Sequence, residues 1–374
     1  MNPNEGKPFK ASKTVEAPAS SMIPRYESLD VARGLAVLGM IYVHFVPAEG
    51  GTTDLETSLS GMVRVQEGTP AAMFCILAGM SWEIQSGRSG SSSRFRVYVV
   101  RRILALAIAG TLFHFLVWPT EILLPLALMS MLSLVLSGVG KTAMLAAIFL
   151  LVVALPFLPL LFANYVTQDW NADGSHVADN TFGWASLRFL IFDGNYPVVP
   201  WMAFVLIGML MAMSNEISSP RVKMWFYIAG PLAVISQIYA VWAEANSNLL
   251  GDLAAYLSST WVPASIPFML VSGSSAFALI TFLMGWQSTS GLPRWTTPLA
   301  QLGQASLTHY ILHICLVFVP LRHFFPEEDW SIRIGLVAFV VYLVLAIPIT
   351  RLWFCVFARG PLEEVWARVS GHSK

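Results

Sequence analysis

Apolar residues in this chain come in long runs, and the polar positions crowd into the short stretches between them. Ten runs stand out, at 31–47, 68–86, 98–118, 121–137, 142–163, 197–214, 224–242, 263–286, 300–320 and 333–356. Each is close to the ~20 residues that a helix needs to cross a hydrocarbon layer. A run that is apolar on every face has no solvent side, so it reads as a membrane span. The pattern therefore predicts an all-α, polytopic membrane protein with about ten transmembrane helices. A polar N-terminal tail (1–27) leads into one membrane domain (28–358), and a short tail follows (359–374).

Composition agrees with this reading. Hydrophobic residues make up 56% of the chain and charged residues 12%, about half the charge of a soluble domain. The 3 cysteines lie inside apolar runs without a CxxC pair, so they read as small buried hydrophobes. The formal net charge is zero, which gives no electrostatic ground for a nucleic-acid partner, and none is expected. Charge placement says more. Lys7, Lys10, Lys13 and Arg25 precede the first run, and Arg88, Arg94, Arg96, Arg101 and Arg102 cluster between the second and third. Lys141, Arg221, Lys223, Arg294, Arg359 and Arg368 continue in every second loop, while the alternate loops carry acids such as Glu49, Asp54, Glu67, Asp193 and Glu327. Both termini are therefore expected in the cytoplasm, with the acidic loops outside. Many of the 13 tryptophans, Trp118, Trp201 and Trp330 among them, lie near run ends, where they suit interfacial anchoring.

The first run carries costly residues. In SLDVARGLAVLGMIYVHF, Ser28 to Phe45, Asp30 and Arg33 open the helix and His44 nearly closes it. Arg33 and His44 are 11 positions apart, which puts them on one helical face about 16 Å apart along the axis. The plain reading pairs Arg33 with Asp30, or lets it snorkel to lipid phosphates, and lets His44 bond a neighbouring helix. An arginine and a histidine aligned inside one span favour a functional cavity instead.

Arginine, ten intervening residues, then histidine is similar to the first-helix signature of bacterial membrane acyltransferases that O-acylate surface sugars. The wider stretch resembles the opening of membrane proteins related to heparan-alpha-glucosaminide N-acetyltransferase, the group that includes domain-of-unknown-function 418 and 1624. GTPAAMFCILAGMSW (from Gly68), FDGNYPVVPWMAFVLIGMLMA (from Phe192), LGQASLTHYILH (from Leu302) and RGPLEEVWARV (from Arg359) resemble later segments of that group, in order.

The resemblance implies a multi-pass enzyme of the bacterial cytoplasmic (inner) membrane. It would move an acyl group, usually acetyl from acetyl-CoA, to a carbohydrate or polar lipid-headgroup acceptor, and a homodimer is compatible with it. His44 is the expected base or transient acyl carrier, since imidazole does either near neutral pH. Arg33 is its catalytic companion and, with Arg101 and Arg102, the expected holder of the CoA phosphates. Asp30, Glu67, Asp193, Asn195, Tyr196, Trp201, His309 and His313 are the expected pocket residues. The heparan relatives place their catalytic histidine in the loop after the first span, where this chain has none. His309 and His313 share a helical face, but no glutamate between them completes an HExxH motif, so no metal is expected. GVGKT at 138–142 lacks the earlier glycine of a phosphate loop. The rival class is a transporter or flippase whose intramembrane charges line a substrate path.

Overall fold

The computed structural model describes residues 26–47, 66–89, 93–118, 120–154, 184–214, 221–251, 264–325 and 330–371, with scattered positions between 53 and 63 and residues 257–259. The expectations for the N-terminal tail and for the loop charges Glu49, Asp54 and Glu327 fall outside these residues. Helices occupy all the predicted runs: α1 (Glu27–Phe45), α2 (Thr69–Ser89), α3 (Ser93–Leu116), α4 (Leu123–Leu136) and α5 (Lys141–Phe149) come first. After them come α6 (Val198–Met213), α7 (Val222–Ala245), α8 (Ile266–Ser290), α9 (Thr297–Gln304), α10 (Ser306–Phe324) and α11 (Ile332–Val356). The segment expected as a C-terminal tail forms a further helix, α12 (Pro361–Val369).

Several of the ten or so expected spans are present. Among the described residues, 6 helices are long and apolar enough to cross a membrane: α1, α3, α7, α8, α10 and α11. The 14 residues of α4 rise about 21 Å, against a hydrocarbon core of ~30 Å. Helix α6, at 16 residues, falls short in the same way. Helix α2 is 21 residues long, but Ser81, Glu83 and Gln85 dilute its second half. Hydropathy measures the apolar run, whereas the helix inside it can stop earlier.

Helices α1 and α8 form the centre: 61% and 67% of their most apolar windows are buried, against 22% for α3 and α7 and 17% for α11. The outer helices turn Ile228, Ile235, Ile238, Val337, Val344 and Ile349 outward, as lipid-facing helices should. Inside a bilayer no hydrophobic drive separates a helix–helix contact from a helix–lipid one, so close packing has to hold the centre together. Glycine supplies it. A side chain at Gly34 of α1 would overlap the Leu299 carbonyl of α9, and one at Gly303 of α9 would overlap the Asp30 carbonyl. These two helices therefore cross backbone to backbone, and α1 is fixed in register against the α9–α10 segment.

That segment is not a continuous rod. Ala305 (φ −107°, ψ 30°) interrupts it between α9 and α10. The freed N–H groups of Leu307 and Thr308 both donate to Glu363 of α12, at 2.7 and 3.1 Å. The Thr308 hydroxyl donates to the other Glu363 oxygen at 2.6 Å and accepts from Leu362 N–H at 3.0 Å. A carboxylate from the end of the chain thus caps a break in the membrane domain, satisfying the donors that a helix start leaves unpaired. Further on, His313–Phe318 is wound as a π-helix. Pro320 follows; it has no N–H for the carbonyl four residues back, and its ring crowds that carbonyl, so a wider turn relieves the conflict.

Candidate active site

At the start of α1, the Arg33 guanidinium donates to Asp30 Oδ1 at 2.7 Å and to Ser81 Oγ of α2 at 2.7 Å. Gln304 of α9 donates to Asp30 Oδ2 at 3.3 Å, and Ser28 N–H donates to Gln287 of α8 at 2.8 Å. Asp30 is buried, while 28% of the Arg33 side chain remains exposed. Charge and countercharge three residues apart on one face thus tie α1 to α2 and α9 at a site still open to a ligand. Arg101 and Arg102 project from an exposed face of α3. Arg102 donates to the Tyr98 hydroxyl at 3.3 Å, and Arg101 lies beside Gly371, just past α12.

At the other end of α1, His44 Nδ1 lies 2.8 Å from His313 Nε2. The two rings are nearly parallel, at 10°, with centroids 5.1 Å apart. His313 is fully buried, and its Nδ1 lies 2.9 Å from the His309 carbonyl oxygen. His309, one turn earlier, places its own ring nitrogens 2.8 Å from the Tyr342 hydroxyl and 2.9 Å from Thr350 Oγ1, both on α11. Aromatic rings wall this end. Phe318 lies 6.1 Å from His44, and Trp118 and Trp330 pack edge-on against Phe318 at 5.1 and 6.1 Å. Trp330 Nε1 donates to the Phe45 carbonyl at 2.9 Å, and Arg322 lies over the Trp330 ring at 5.5 Å.

The other expected pocket residues lie on neighbouring elements. Tyr196 packs edge-on against Trp201, with ring centroids 5.0 Å apart, and Asn195 is buried beside it in the chain. Glu67 and Glu121 lie close enough to the Tyr196 hydroxyl to act on it electrostatically, and Glu121 also acts on Tyr310. The Tyr310 ring is 5.7 Å from that of His313. Trp201 is not an interfacial anchor: at 1% exposure it lies in the core. The Asp193 side chain lies outside the described residues. Among the described residues no group of three or more His, Cys, Asp or Glu could hold a metal ion.

Comparison with known proteins bears on this arrangement. Residues 25–240, which carry the whole of α1, match the family model described as heparan-alpha-glucosaminide N-acetyltransferase, catalytic. The chain belongs to that family. Its second part, residues 205–371, matches the family described as protein of unknown function (DUF418). The chain is also 22% identical over 400 residues to the uncharacterized protein YxaH of Bacillus subtilis (strain 168), covering 90% of this chain and 92% of that one. The two family matches overlap over 205–240, from α6 into α7, and jointly run from α1 to α12. Family membership is that of an acyltransferase-type enzyme. With the helices above, the protein is a polytopic membrane protein with a bacterial relative.

Sequence reasoning missed several residues that hold this arrangement. Glu363 sits far along the chain from the helix break it caps, and Tyr342 and Thr350 lie on an otherwise apolar helix. Glu121 was legible in principle, as an acid directly ahead of an apolar run. In the α3–α4 hairpin its carboxylate accepts from Leu123 N–H and, at 3.1 Å, from Leu124 N–H. Burial pushes this carboxyl up to about 8, against the lowering effect of those two donors. A folded-state value above the unfolded one means that the folded protein holds the extra proton between about 4.5 and 8. Stability should therefore fall as pH rises through that window. Glu121→Gln keeps the neutral shape, so its thermal midpoint should match wild type near pH 5 and exceed it at pH 8.5. Equal midpoints across that range would mean that the carboxyl titrates normally.

Proposed function

We propose that the protein transfers an acyl group, most simply acetyl, from acyl-CoA to a hydroxyl or amine of a carbohydrate or lipid-headgroup acceptor, with His44 as the base. One observation carries this reading. A chain of the acetyltransferase family places a hydrogen-bonded histidine pair at one end of its central helix and a partly open arginine at the other. The ~16 Å between Arg33 and His44 along α1 is on the order of an extended pantetheine arm. CoA phosphates held near Arg33 would therefore bring the thioester to His44. The lysine and arginine bias of the flanking loops supports a cytoplasmic Arg33 end, where CoA is available, and an acceptor arriving from the outside. The aromatic wall of Trp118, Phe318 and Trp330, with the Arg322 cation above it, suits a polyhydroxyl acceptor that bears phosphate.

The chemistry needs few parts. His44 takes the proton of the acceptor hydroxyl as its oxygen attacks the thioester carbon; the C–O bond forms and the C–S bond breaks. The proton then passes from His44 to the departing sulfur, giving the ester and free CoA thiol. Purified protein in lipid discs, supplied with radiolabelled acetyl-CoA and a panel of sugars and lipid-linked sugars, should yield labelled ester or amide, or slow hydrolysis with water as acceptor. Saturable binding of acetyl-CoA with no release of CoA thiol would rule out the transferase reading, and uptake of an acceptor into vesicles would then favour a transporter.

A further inference from the structure

We propose that His313 is a positioning residue: it fixes the tautomer of His44, leaving the lone pair of His44 on Nε2. This deepens the reading of His44 as the base and rests on it. The argument starts from a carbonyl, which can only accept a hydrogen bond. His313 Nδ1, 2.9 Å from the His309 carbonyl oxygen, must therefore carry hydrogen. A neutral imidazole with hydrogen on Nδ1 has its lone pair on Nε2. That Nε2 is 2.8 Å from His44 Nδ1, so the hydrogen of this contact belongs to His44 Nδ1. Neutral His44 is left with one basic nitrogen, Nε2.

The arrangement resists inversion, because a reversed chain would put two lone pairs against each other at the His309 carbonyl. That carbonyl is itself held. The His309 ring is bonded on both nitrogens to Tyr342 and Thr350 of α11, and the peptide is wound into α10. The His313 ring is packed by Tyr310 at 5.7 Å and Phe45 at 6.2 Å. Both nitrogens of His313 are engaged and the residue is fully buried. Its contribution therefore reaches the substrates through His44 rather than by contact, in place of the pocket-lining role expected from sequence.

This arrangement serves the reaction at the step that matters. When His44 accepts the acceptor's proton on Nε2 it becomes a cation, and its Nδ1–H bond to His313 becomes charge-assisted and stronger. The gain exists only as the proton moves, so it favours the transition state over the ground state. A carbonyl–histidine–histidine chain thus does what a carboxylate does for the histidine of a serine-protease triad, orienting the ring and choosing the nitrogen.

Two measurements on the full chain in lipid discs test this. Nitrogen-15 spectra of histidine-labelled protein, with the His44 signals identified by their loss in His44→Gln, should show hydrogen on Nδ1 and a bare Nε2. The second compares His313→Gln, whose amide oxygen can still accept from His44 Nδ1, with His313→Leu, which cannot. His313→Leu should lose on the order of 10²-fold in kcat with the KM for acetyl-CoA within about twofold, while His313→Gln should recover about tenfold of that loss. Hydrogen on Nε2 of wild-type His44, or an unchanged kcat in folded His313→Leu, would overturn the proposal. If His313→Leu does not fold, the wild-type spectrum decides alone. Should His44→Gln itself remain fully active, the reading of His44 as base fails, and the spectrum still reports the tautomer independently.

Discussion

His44→Ala is expected to lower acyl transfer by about 10²–10⁴-fold, the usual contribution of a positioned general base. The loss should fall on kcat. The proposed function holds the donor mainly at the Arg33 end of α1, which the substitution does not touch, so KM for acetyl-CoA should stay within about threefold. His44 lies on the same helix as the Arg33–Asp30 ion pair, and the glycine crossing at Gly34 and Gly303 anchors that helix independently of the histidine. Removal of one imidazole should therefore leave the fold in place, checked by an unchanged elution profile and a small shift in thermal midpoint. The substitution also opens a space next to His313 Nε2. Added imidazole should enter it and restore part of the activity, more so at higher pH, where added imidazole is neutral. Such rescue separates a missing base from a collapsed site. Full activity in folded His44→Ala would move the chemistry elsewhere in the protein, and the family's other histidine position is vacant in this sequence.

How far the sequence revealed this arrangement follows from what each signal measures. Run length located the helices, because a stretch of ~20 apolar residues has few alternatives in a bilayer. It is blind to where a helix stops inside an apolar run, as at α4 and α6. Helical arithmetic placed Asp30, Arg33 and His44 on one stripe, and the structure shows the Arg33–Asp30 pair that the plain reading expected. His309 and His313 were visible as a pair one turn apart on a helix facing His44. The ring partners of His309 were not visible, since Tyr342 and Thr350 lie 33 and 41 residues further on. The π-turn had a local signal in Pro320. The helix break at Ala305 had none, because alanine is a good helix former and the cause lies elsewhere in the chain. That cause is Glu363, in a segment that reads only as a polar tail after the last apolar run.

Glu363→Ala is expected to cost on the order of 2–4 kcal/mol of stability, since it leaves two N–H groups and a hydroxyl at the start of α10 without an acceptor. Activity should fall with stability. Thr308, bonded to Glu363 through both backbone and side chain, directly precedes His309, and the carbonyl of His309 anchors the histidine pair. Loosening the first turn of α10 would let that carbonyl drift and blur the choice of nitrogen on His44. Glu363→Gln keeps one accepting oxygen and should fall between wild type and Glu363→Ala in both thermal midpoint and kcat. Glu364→Ala is the control. Glu364 pairs with Arg359 at 3.3 Å and Arg368 at 3.1 Å along the exposed side of α12, and surface pairs of this kind contribute little. Its midpoint and its transfer rate should stay near wild type. If the two alanine variants behaved alike, α12 would be a passive appendage and the break at Ala305 would be held by α9 and α11 alone.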